Sequence, residues 1–148
     1  MSNLVFNTAL GRVAALAALP AANDALIAVP LEATGLATDA VIRDYDDLAS
    51  LLAGTSNEQT SMGRKTLSGV TVTVDDTLDR VALNCSAITW TAATGNPIGA
   101  VVICYDPDTT TGTDADLIPL TKHDVTMTPD GNNFQLTVAD FYRATSTA

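Results

Sequence analysis

Asp106, Asp108, Asp114 and Asp116 place four carboxylates within eleven residues, and oxygen-rich clusters of this kind are what calcium coordinates. An EF-hand loop started at Asp106 fails at three positions. Thr110 stands fifth, Gly112 arrives one residue late, and Leu117 occupies the place of the bidentate Glu. The cluster therefore reads in two ways: as oxygen ligands for Ca²⁺, or as a solvated hairpin tip whose carboxylates meet a partner's donors. On the solvated reading, replacing Asp108, Asp114 and Asp116 by Asn leaves folding nearly intact, because surface carboxylates contribute little.

Other residue types capable of chemistry do not assemble into a recognisable motif. His123, flanked by Lys122 and Asp124, is the only histidine, and one imidazole cannot build a His-rich metal site. No serine stands in a nucleophile setting, so His123 is expected to be exposed or at a strand end. Cys85 and Cys104 lie in apolar runs at a spacing that matches no zinc pattern, which suits buried free thiols. A disulfide between them stays open, and catalysis from a run such as VVICY is not expected. The neighbouring carboxylates Asp46–Asp47 and Asp75–Asp76 lack the opposed environments that glycoside hydrolysis needs. GRVAALA and GVTVTV lack the glycine spacing of a phosphate loop. Neither an enzyme nor a resident cofactor is expected.

The charge balance narrows the partners. Seventeen acidic side chains face seven basic ones across 148 residues, a net charge of −10. Seven scattered cations cannot track a phosphate backbone, and the excess of acid disfavours anionic lipid, so no nucleic-acid or membrane partner is expected. Fifteen of the acids are Asp, and only Glu32 and Glu58 are Glu. Asp favours caps and turns, which points to many short elements. An apolar content of 47% is enough for a real core. Neither a secretory leader nor a membrane-spanning run is evident, so a soluble chain is expected.

The elements that must position these residues follow from periodicity. Small and aliphatic side chains over 8–19 predict a short helix closed before Pro20, weakened by Gly11. ALIAVPL (25–31) predicts a strand with Pro30 at its end or at a sheet edge. Val41, Ile42, Tyr45, Leu48, Leu51 and Leu52 form an apolar stripe that predicts one helix over about 39–53, with Thr38 as cap and Gly54 as a left-handed stop. After a polar connection at 55–65 the period changes to two. Val70, Val72 and Val74 alternate with Thr71 and Thr73, and short strands follow at 81–85, 87–90, 98–105, 117–120, 125–127 and 134–138. PDGNN at 129–133 is a turn signal. The fold class expected is mainly β with a helical N-terminal third (α+β), the β part an antiparallel sandwich or barrel. Residues 1–65 form the helical and strand region, packing on or extending from an antiparallel β domain at 66–148.

The run WTAATGNPIGAVVICYDPDTTTGTDADLIPL (90–120) resembles a group of small virion-associated proteins from tailed bacteriophages. GRVAALA (11–17), ALIAVPLEATGL (25–36), RDYDDLASLLAG (43–54), LTKHD (120–124) and FYRA (141–144) extend the likeness over most of the chain. The resemblance implies a structural protein that decorates or cements the capsid exterior by bridging subunits of the major capsid protein. It would sit on the virion surface and in the host cytoplasm during assembly, as a homo-oligomer for which a trimer suits the shell's symmetry. Leu10, Val13 and Leu16 of the Ala-rich helix, Trp90, and the Phe141–Tyr142–Arg143 cluster are the candidate contacts, aromatic residues and Arg being enriched at interfaces. Alternation of Ile88 and Trp90 with Thr89 and Thr91 also favours a core role for Trp90. Two other classes stay open: a tail adaptor, tube or fibre protein, and a small calcium- or carbohydrate-binding module using the Asp106–Asp116 loop.

Overall fold

Two strands carry apolar side chains on both faces, and that decides the architecture. β2 (Ala25–Glu32) is buried at every position but its last, and β7 (Ile98–Asp106) is buried without a break from Ala100 to Tyr105. A strand of alternating character can leave one face wet, whereas these two require cover on both. The computed structural model describes residues 2–146. It pairs β2 and β7 inside a five-stranded antiparallel sheet of order β1 (Leu4–Val5), β8 (Ile118–Met127), β7, β2 and β3 (Lys65–Thr66). A three-stranded sheet runs β10 (Tyr142–Thr145), β5 (Arg80–Asn84), β4 (Thr71–Asp75), and β6 (Ile88–Trp90) pairs with β9 (Phe134–Leu136). The protein is mostly β, 36% strand against 12% helix, its sheets are antiparallel, and no barrel closes among the described residues.

The helical N-terminal third is not what forms. The stretch 8–19 divides into a 3-10 turn at Asn7–Ala9 and a five-residue helix α1 (Val13–Ala17), because Gly11 between them takes a left-handed φ of 76°. The expected helix over 39–53 is two helices, α2 (Asp39–Ile42) and α3 (Leu48–Ala53). Asp47 is extended and caps the second, its carboxylate accepting from the Ser50 N–H at 2.7 Å. The stripe still points inward across the break, since Ile42, Leu48 and Leu51 are fully buried, while Val41 is 51% exposed. Gly54 has a φ of −77°, so it is no left-handed stop. A side chain there would meet the Tyr45 hydroxyl, which would have to swing aside.

Residues on both sides of position 65 share one sheet, because β2 lies between β7 and β3. Pro30 sits inside β2 opposite Val101. Its carbonyl accepts from the Gln59 N–H at 2.9 Å, so its nitrogen faces that same side, away from β7, where no ladder bond is lost. The polar connection follows this outer edge: Glu32 N–H donates to the Asn57 carbonyl at 2.8 Å, and Leu31 bridges to Glu58. The segments read as separate strands at 117–120 and 125–127 belong to one ten-residue strand, β8. Its middle, Thr121–Lys122–His123, is polar and buried.

Leu48→Ala tests the inward stripe. Loss of a fully buried leucine should lower unfolding free energy by about 2–5 kcal/mol in a denaturant melt, whereas Val41→Ala should change it by about 0.5 kcal/mol or less.

Candidate functional site

Lys122 has no solvent exposure, and its ammonium is nonetheless satisfied. Nζ lies 2.5 Å from Asp124 Oδ1, two residues along the same strand face, and 2.9 Å from Asp39 Oδ1 at the start of α2. The second Asp39 oxygen accepts from the Ser2 N–H at 2.7 Å and from the Ser2 hydroxyl at 3.1 Å. The Lys122 ammonium first, and then the Ser2 donors, hold the Asp39 carboxyl down at about 2 against the opposing effect of burial. Leu4 of β1 pairs opposite Lys122, and Asn3 Oδ1 accepts from the Asp124 N–H at 2.8 Å. One buried cation therefore ties the N-terminal segment, α2 and β8 together. Removing either carboxylate would leave the buried ammonium with a single counter-charge, and removing both would leave it uncompensated in the interior.

His123 projects to the opposite face of the same strand and is buried, which corrects the expectation of an exposed or strand-end imidazole. Its Nε2 lies 3.0 Å from Thr121 Oγ1, and its ring meets Phe141 edge-on at 6.4 Å. Burial first, and then the Lys122 charge, push the imidazole from 6.5 down to about 4. It is neutral at neutral pH. A cleft of about 510 Å³ passes this point, between β1, β8 and the 137–143 segment. Cys104 shares the face of Val102 and Ile27, away from His123 and Val101, so the two do not form a thiol–imidazole pair. Both cysteines are free thiols, and burial raises each thiol above its ordinary range.

The acidic loop is folded back onto the body. Arg64 reaches it with a guanidinium that grips two carboxylates at once. Nε and Nη2 donate to the two Glu58 oxygens at 2.8 and 2.6 Å, while Nη1 and Nη2 donate to the two Asp114 oxygens at 2.6 and 2.9 Å. This bidentate use of the planar fork raises the Arg64 pKa and lowers that of Asp114. The backbone of the loop is held too. The Ala49 N–H donates to the Asp114 carbonyl at 3.1 Å, the Leu48 N–H to the Leu117 carbonyl at 3.0 Å, and the Thr109 N–H to the Asn23 carbonyl at 2.9 Å.

The four candidate metal ligands are not brought together. Asp108 accepts from the Thr110 N–H and hydroxyl and from the Thr111 hydroxyl, which lowers its pKa. Asp116 accepts from the Thr113 N–H, Asp106 from the Asp108 N–H, and Asp114 belongs to Arg64. No group of three acidic, His or Cys side chains is arranged around a common point among the described residues. The turns are local Asx geometry of the kind that Asp and Thr favour. With Asp114 in a clasp, the triple Asp-to-Asn replacement is no longer expected to be silent.

The candidate contacts separate by burial. Val13, Trp90 and Phe141 belong to the core. Trp90 stacks on Phe134 at 5.6 Å and donates from Nε1 to the Gly63 carbonyl at 2.8 Å, so the alternation argument for the core is the one that holds. Leu10 is 62% exposed, Leu16 and Tyr142 are half-buried, and Arg143 is exposed and paired with Asp140. Sequence reasoning missed Lys122 and Arg64. The first had a signal: Lys122 and Asp124, two apart within a strand, share a face. The second had none, because Asp114 lies fifty residues beyond Arg64.

Two outcomes follow. Arg64→Lys should cost about 1–2 kcal/mol of stability, since a point-like ammonium cannot serve two carboxylates bidentately and the site is only partly exposed. A melt indistinguishable from wild type would show that the clasp is dispensable. The unfolded chain takes up the His123 proton near pH 6.5 and the folded chain only near 4. Lowering pH through that interval therefore removes stability, on the order of 3 kcal/mol, with no further His123 contribution below it. His123→Gln should flatten this part of the stability–pH curve. Asp39 acts in the same direction at lower pH, between 3.8 and about 2.

No protein-family model, curated protein or solved structure matches this chain.

Proposed function

We propose that this chain is a non-enzymatic structural protein of a tailed-bacteriophage virion, decorating or cementing the capsid exterior by bridging subunits of the major capsid protein. The observation that supports this most is the use to which its polar side chains are put. Lys122 is held by Asp39 and Asp124, Arg64 by Glu58 and Asp114, and the loop aspartates by their own backbone. Groups that would do chemistry elsewhere brace the fold here. The segmental resemblance to small virion proteins supports the proposed location, and the net charge of −10 suits a partner surface that is basic.

On this reading the exposed Leu10 and the half-buried Tyr142, with Arg143 beside it, contribute to contacts that are weak singly and add up over many copies on a shell. Purified protein should co-sediment saturably with empty heads of the phage that carries its gene, and not with its tails. Leu10→Asp should weaken that binding without shifting the thermal melt. Binding to tails alone would replace the capsid assignment by a tail adaptor, and binding to neither would remove both.

A further inference from the structure

β4 is the outer strand of the three-stranded sheet, and among the described residues no hydrogen bond from another segment reaches its outer edge. Other open edges are protected by shortness or charge. β1 and β3 have two residues each, β6 and β9 three, and β10 carries Arg143. β4 has five residues, Thr-Val-Thr-Val-Asp, with no Pro, Lys or Gly, its single charge confined to the last position, and no bulge in its pairing with β5. Its Val74 is 72% exposed, and Leu78 at the hairpin tip is 52% exposed. Unpaired main-chain donors and acceptors beside exposed valine form a template for strand addition.

We propose that β4 pairs with β4 of a second copy, antiparallel about a two-fold axis through Thr73. The sequence of the strand is self-complementary in that register. Val72 of one copy meets Val74 of the other, twice, on the face where Val72 already lies opposite the buried Leu83. Thr73 meets Thr73 and Thr71 meets Asp75 on the wet face. A slip by one residue sets valine against threonine across the faces. A slip by two either opposes Val72 to Asp76 or runs Asp75 out against Gly69, beyond the strand.

Charge does not forbid the contact. The two Asp75 residues stand four strand positions apart, about 13 Å, which exceeds the Debye length of about 8 Å at physiological ionic strength. Repulsion between two chains of net −10 is therefore a screened, longer-range effect, and the dimer strengthens as salt is added. The pairing joins two three-stranded sheets into one of six strands and covers Val74. It does not rest on the capsid assignment.

Sedimentation velocity over a concentration series at low and high salt tests it, together with two variants. Wild type should show a monomer–dimer equilibrium that shifts toward dimer with concentration and with salt. Val74→Lys should remain monomeric, with a melting temperature equal to that of wild type at concentrations where wild type is also monomeric, since that side chain is mostly in water. Thr73→Cys should form a covalent dimer under mild oxidation, mapped by mass spectrometry to position 73 in both chains, and faster than Thr94→Cys at an exposed loop position. A wild type that stays monomeric in both salts overturns the proposal. So does a dimer that survives Val74→Lys, or equal crosslinking of the two cysteine variants.

Discussion

An inner strand that is apolar on both faces obliges the chain to cover both sides of its sheet, and β2 and β7 impose that obligation together. Lys122 and its neighbour His123 show how the two sides are met, because β8 sends the first to one face and the second to the other. On the Lys122 side the cover is α2, fixed through Asp39. On the His123 side it is the segment ending in Phe141. Short helices suffice, since each needs only a few apolar side chains to lie against a sheet already built from strands. Their own propensity would not sustain four to six residues in water.

The polar groups follow from the same constraint. A charge that ends up in or beside the interior must find a counter-charge there, and Lys122 and Arg64 each do so with two carboxylates. Lys122 sits in the interior and Arg64 at its margin, so the penalty for an unmatched partner differs, but the design is alike. These clusters have the composition of functional sites. Their geometry is that of fasteners: carboxylates spent on a cation, a neutral imidazole bonded to a threonine, and loop aspartates closing turns.

How much of this was legible in the residues depended on the range of the interaction. Strands with period two or with continuous apolar runs were readable, as at Thr71–Asp75 and Ile98–Asp106, because burial of one or both faces is written locally. The helices were overread. An apolar stripe keeps its spacing across a break, so Ile42 and Leu48 looked like one helix although Asp47 caps a new one, and Gly11 interrupted another. β8 reads as two strands because Thr121–Lys122–His123 is polar, and only the fold reveals the partner that lets each be buried. The Asp106–Asp116 loop was placed correctly as a long connection between β7 and β8, but its attachment through Arg64 depends on a residue far away in sequence.

The central claim is that the acidic loop and the covers are parts of the folded body rather than free appendages. Residue-resolved hydrogen exchange of the native protein measures this directly. The Ala49 and Leu48 amides, which donate to the loop, and the Thr109 amide within it should exchange far more slowly than free peptide, while the central amides of β2 and β7 are slowest of all. Exchange of these three amides at the free-peptide rate, with the sheet still protected, would contradict the account and make the loop a detached, solvated tip.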